Sequence, residues 1–117
     1  RPSRTTPSAK WRAAAARQAA WQQITDATGA AWATEDPGAA LANAVPYMQA
    51  FGHGVLAWIW LDVALVALAR APAGGLRTGT LSAMHYFYRY EIGKIGAWLE
   101  PVRRRDMTCA DMPDEAF

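Results

Sequence analysis

Apolar positions along the chain fall into three long helix-compatible stretches, separated by short turns that carry Pro and Gly. The first covers residues 9–33. Its larger apolar positions, Trp11, Trp21, Ile24 and Trp32, lie among many alanines, with Gln18, Gln22 and Gln23 supplying polarity. Alanine has the highest helix propensity, so this stretch predicts one helix. Ser8 is placed as its N-cap, and Gly29 weakens its last turn. The run Thr34-Glu35-Asp36-Pro37-Gly38 then starts a second helix, with Asp36 as cap and Pro37 at the first position, where its missing N–H costs nothing. That helix is predicted over 37–70, bent or split near 42–46 by Pro46 and weakened again at Gly52 and Gly54.

The most apolar stretch of the chain is 54–69. It is 16 residues long and has Asp62 in its middle. A membrane span needs about 20 residues, so none is expected. A helix apolar all round belongs at the centre of a bundle or against a partner. Ala71-Pro72-Ala73-Gly74-Gly75 is a helix stop, and 76–79 reads as loop. The third helix is predicted over 80–104. Its stripe Leu81, Met84, Tyr88, Ile92, Ile95, Leu99 and Val102 repeats at three and four. Gly93, Gly96 and Ala97 form a small-residue patch suited to close helix approach, and Pro101 marks the end. The predicted fold is therefore all-α: an antiparallel up-down bundle of three long helices, four if the kink divides the second. Residues 1–8 read as a linker or arm, 9–105 as the bundle and 106–117 as a C-terminal tail. No solenoid repeat is present.

Composition changes this picture in two ways. A chain of 117 residues is one ordinary domain and can bury about two-thirds of its surface. Six Trp are many for that length and imply a substantial core or a sticky interface, so a homodimer is expected. Charge argues against nucleic acid: 12 basic residues face 10 acidic ones, for a net +2. The one basic cluster, Arg103-Arg104-Arg105, follows a helix end, where it suits the last carbonyls. Cys109 is the only cysteine, which fits a reducing cytoplasm. The chain opens on Arg1 without a signal-peptide pattern, so the first residue reads as a boundary.

Chemistry is sparse. No Gly-rich phosphate loop, HExxH, CxxC or EF-hand spacing occurs, and two His with one Cys far apart give no metal signature. Neither a glycine-rich cradle nor a basic pocket is legible. Asp62 is the most informative polar residue. On a buried helix its carboxylate must be paired or protonated. The readings are a structural ion pair or an exposed seam, ahead of a functional acid, and His85, Arg89 and Lys94 of the third helix are the candidate partners. With Glu91 they form one candidate structural polar cluster: Asp62, His85, Arg89, Glu91 and Lys94. Ser82, His85 and Asp62 could be assembled into a nucleophilic triad, but any chain of this size offers such triplets. His53 reads as a packed histidine. The run Tyr86-Phe87-Tyr88-Tyr90 suits packing better than flavin stacking.

The segment Leu41-Ala42-Asn43-Ala44-Val45-Pro46-Tyr47-Met48-Gln49-Ala50-Phe51-Gly52-His53 is followed by Val55-Leu56-Ala57-Trp58-Ile59-Trp60-Leu61. Together with Met84-His85-Tyr86-Phe87-Tyr88-Arg89-Tyr90-Glu91 and Lys94, it resembles the C-terminal helical extension of a bacterial acyl-CoA dehydrogenase subfamily, the one that includes 3-methylmercaptopropionyl-CoA dehydrogenase. The likeness covers about residues 10–105 and rests on packing residues. Asp62 departs from it, standing where a basic or amide residue is expected. The resemblance implies a parent that uses FAD to dehydrogenate an acyl-CoA thioester, with a glutamate taking the α-proton. No residue here matches that glutamate or the FAD-binding segments, so no catalytic, cofactor or metal residue is carried over. What it implies for this chain is a non-catalytic role, packing on the missing dehydrogenase domains and supporting oligomerisation. Two other readings stand beside it. One is a free-standing binding module whose apolar groove holds a lipid-like ligand or a partner helix. The other is a small enzyme built on Asp62 and His85.

Overall fold

In the computed structural model the backbone is described for residues 7–116 and side chains for 11–116. Helix α1 runs Pro7–Ala31, α2 Pro37–Leu41, α3 Ala44–Arg70, α4 Gly75–Tyr86 and α5 Lys94–Arg103. A π-helical turn, Phe87–Glu91, joins α4 to α5, and a 3-10 turn spans Asp114–Ala116. No strand occurs among the described residues. The all-α bundle is as expected, with α1, α3 and the α4–α5 unit as its three rods.

Local chemistry sets the boundaries. The Asp36 side chain accepts from Gly38 N at 2.9 Å, and Pro37 follows as the first residue of α2. The second rod divides at Ala42 and Asn43, and Pro46 sits in the first turn of α3, where no N–H is needed. Asn43 fastens the break: its Nδ2 donates to Pro101 O at 3.2 Å and to Asp106 O at 2.8 Å. Gly74 has φ 151°, a conformation that favours glycine, and turns the chain into α4.

Four expectations are corrected. Residues 76–79 are helical rather than loop, because α4 starts at Gly75 immediately after the Gly74 turn. The third rod is not one regular helix. Ile92 N bonds Phe87 O at 3.0 Å, which widens the turn by one residue and keeps the stripe from Met84 to Val102 on the inner face. The arm expected over 1–8 lies outside the described residues except for Pro7 and Ser8. Those two are already in α1, so Ser8 is not its N-cap. Finally, Gly93 and Ala97 are exposed, and of the small patch only Gly96 faces another helix, beside Gln23 of α1.

Burial is carried by small residues. On α1 the buried positions are Ala13, Ala20, Ile24, Ala27 and Ala31; on α3 they are Ala50, Gly54, Ala57, Leu61, Ala64 and Ala67. Both series repeat at three, four or seven, the period of one helical face. Alanine and glycine there let the rods approach closely, which leaves Trp11, Trp32 and Trp58 on the outside. Two clusters result. The larger joins Ile24, Ala27, Ala50, Ile95, Leu99 and Val102; the smaller joins Ala13, Leu61, Ala64 and Met84. They lie end to end in a molecule measuring 60 × 29 × 21 Å. At the larger-cluster end Arg105, with φ 49°, donates to Ala30 O near the C-terminus of α1. Of the arginine triplet, Arg105 thus reaches a carbonyl near the end of a neighbouring helix, while Arg103 pairs with Glu100.

Candidate functional site

The polar cluster predicted around Asp62 does not assemble. The buried face of α3 passes through Leu61, and Asp62 stands one residue further round, on the exposed flank. Among the described residues it makes no ion pair. Burial of α3 on one face only is the physical reason: a carboxylate left in water needs no partner. Lys94 pairs instead with Glu91 one turn away, and this hydrogen bond raises the Lys94 pKa. The Arg89 guanidinium lies 5.6 Å from the centre of the Tyr90 ring. Nε2 of His85 is buried with no hydrogen-bond partner among the described residues. Ser82 and Asp62 are both exposed, and no hydrogen bond links either to His85 among the described residues, so no triad forms. His53 packs as expected, its ring 4.6 Å from that of Trp98 and 5.5 Å from that of Phe87. No group of three metal-binding side chains comes together among the described residues.

Tyr88 is the polar side chain that ties α3 to the third rod. Its hydroxyl donates to Ala57 O at 2.6 Å. Burial pushes its pKa up from 10.0 to about 12; the Arg17 charge opposes this and the Asp62 charge adds to it. The folded state therefore favours the neutral phenol. That contribution is complete below pH 10.0, the unfolded value, and is lost as pH rises through the folded value of about 12. Thermal melts from pH 9 upward are expected to show a falling midpoint across that window. Tyr88→Phe should be less stable at neutral pH and should show a smaller fall. Parallel curves for the two proteins would sink this assignment.

Two surfaces remain. One is the outer face of α3. Val45, Met48, Leu56, Ile59, Val63 and Val66 lie opposite its buried stripe and are all exposed, Val45 by 71% and Val66 by 57%. This apolar face runs most of the length of the helix. By length and composition α3, at 27 residues, is able to cross a membrane, so the length argument drawn from 54–69 alone is corrected. Its inner face, however, packs on α1, α4 and α5 through Ala50, Gly54, Ala57, Leu61, Ala64 and Ala67.

The second surface is an open-sided groove of about 1170 Å3 between α1 and α4. Arg12 enters from α1, Arg77 from α4 and Arg89 from the π-helical turn, with Tyr86 and Tyr90 at one end. No carboxylate borders it among the described residues. The absence of a basic pocket, expected from the sequence, is thus corrected. The arginines are scattered in sequence, which hid them, but Arg77, Leu81, His85 and Arg89 recur every four residues and so share one helical face.

A comparison with protein families finds that Acetyl-CoA dehydrogenase C-terminal like matches residues 7–113. The chain belongs to this family. No curated protein and no solved structure matches it. Membership agrees with the resemblance drawn from Leu41–Leu61 and Met84–Lys94 at the level of the acyl-CoA dehydrogenase C-terminal domain. In this family member the matched region takes in both rods that carry the exposed surfaces and the whole of the α4–α5 unit. The described residues do not fit a flavin. The groove walls are helix flanks without a glycine-rich turn behind a strand, and its open side gives an isoalloxazine ring no enclosure.

Proposed function

We propose that this chain is a non-catalytic C-terminal helical domain of an FAD-dependent acyl-CoA dehydrogenase, and that it packs on the dehydrogenase domains and supports a homodimer through the outer face of α3. The observation that carries this reading is the exposed apolar face of α3 from Val45 to Val66, passing Gly52 between Met48 and Leu56. Contiguous apolar surface on this scale marks a partner site. FAD and the proton-abstracting glutamate belong to the other domains. A lipid-holding module is less well supported, since Arg12, Arg77 and Arg89 border the groove between α1 and α4.

Ile59→Asp combined with Val63→Asp tests the docking face. Both positions are exposed, so the helical signal and melting midpoint should stay unchanged. Sedimentation at high concentration should show self-association for the native chain and its loss in the variant. A native chain that stays monomeric and floats with lipid vesicles would overturn the reading in favour of a membrane. Given FAD, an acyl-CoA and an electron acceptor, residues 1–117 are expected to bind no flavin tightly and to reduce no acceptor. Turnover by this chain would refute the non-catalytic role and would make Asp62 and Glu91 the first residues to mutate.

A further inference from the structure

The half of the bundle built on the smaller cluster carries an unusual charge pattern. Its stretches contain Arg12, Arg17, Arg70, Arg77 and Arg89, against Asp62 and, at the border in the π-helical turn, Glu91, which pairs with Lys94. The other eight of the ten carboxylates lie towards the larger cluster and the tail. Three of these arginines, Arg12, Arg77 and Arg89, border one groove, and among the described residues none of the three is held in an ion pair. Asp62 does not line the groove. Like charges gathered round one concave surface repel, and water screens them only in part, so the arrangement favours a multivalent anion.

The groove also has a direction. Arg77 and Thr78 stand at its Gly74 end, while Arg89 and the exposed Tyr86–Tyr90 pair, with ring centres 5.2 Å apart, stand at the other. From Arg77 to Arg89 the helix rises about 18 Å, at roughly 1.5 Å per residue. Arg77 and Arg89 thus border the groove towards opposite ends, an interval that one extended small molecule can span. Guanidinium forks match phosphate oxygens and can hold two of them at once. Tyrosine rings offer a stacking face to a planar base.

We infer that the groove between α1 and α4 binds a nucleoside diphosphate, with its phosphates on Arg12 and Arg77 and its base against Tyr86 and Tyr90. Thr78 and Ser82 supply further donors along the same wall. No α3 residue borders the groove, so this site is independent of the docking face.

Titration calorimetry of the full chain with ADP tests the site, with adenosine and an acidic peptide as comparison ligands. ADP is expected to bind, more weakly as salt rises, and adenosine is expected to bind much less. Each of Arg12→Ala and Arg77→Ala should weaken ADP about tenfold, as loss of a charge-assisted hydrogen bond does. Tyr86→Leu should weaken ADP but not inorganic pyrophosphate, which has no base. Arg104→Ala, outside the groove, should leave ADP binding unchanged. The replaced arginines are not core residues, and unchanged melting curves would show that the variants fold. No ADP binding at millimolar concentration would overturn the proposal. So would binding that the arginine variants leave intact, or a groove that takes the acidic peptide in preference to ADP.

Discussion

Leu99→Ala is expected to destabilise the fold by about 2–5 kcal/mol. Leu99 is fully buried in the larger cluster, against Ile24, Ala27, Ile95 and Val102. Its neighbours on α1 are mostly alanines, which have no side chain long enough to fill the space left behind. The cavity would therefore stay open, and the loss should fall in the upper part of that range. A domain of this size has about 5–15 kcal/mol in all, so the variant would sit near the edge of folding at physiological temperature. Urea denaturation checks this through the midpoint, with an unchanged slope showing that the unfolded state is the same. A loss below about 1 kcal/mol would mean that α5 does not pack on α1 as described.

Gly54→Leu is expected to be nearly as damaging, for the opposite reason. A Cβ at Gly54 would stand 2.8 Å from Ile24 Cδ1 and 3.3 Å from the Trp21 ring. Here α3 and α1 approach closely, and the space for a longer side chain is already filled. Leucine would drive the rods apart and cost about 3 kcal/mol, at the upper end of the overpacking range. Gly54→Ala separates crowding from helix propensity. Its single methyl meets the flexible end of Ile24, and removing a mid-helix glycine returns up to about 1 kcal/mol, so the net change should be small. If alanine and leucine were equally tolerated at 54, the close approach of α1 and α3 would be disproved.

Much of the fold was legible because the third rod announces itself with large apolar residues. Met84, Ile95, Leu99 and Val102 were placed on the inner face from spacing alone, and all four are buried. The turn at Asp36-Pro37 was legible through its capping chemistry, and the division of the second helix through Pro46. What spacing by size missed was the inner face of the other two rods. Ala13, Ala20 and Ala27 count in the sequence only as helix formers, and Ala50, Ala57 and Ala64 are not marked by size, yet all six are the contact surface. Large residues such as Trp11 and Trp58 drew attention and turned out to face outward. Asp62 was misplaced by the same error, since a helix apolar on every side was taken as buried on every side. The polar cluster failed with it. The groove was illegible because Arg12 and Arg77, far apart in sequence, come to border the same space only in the folded chain.

The two core clusters differ in size, and they lie at opposite ends of a long molecule. Amide protons in such a structure do not all wait for global unfolding. The end built on Ala13, Leu61, Ala64 and Met84 has fewer fully buried residues, its larger neighbours Trp60, Leu81 and Tyr88 being only partly buried. The opposite end is fastened by Ile24, Ile95, Leu99 and Val102, by the two hydrogen bonds of Asn43, and by Arg105 on α1. Local opening is therefore expected to take less free energy at the α4 end, and a ligand that bridges Arg12 and Arg77 should slow hydrogen exchange in α4 first and leave α5 unchanged.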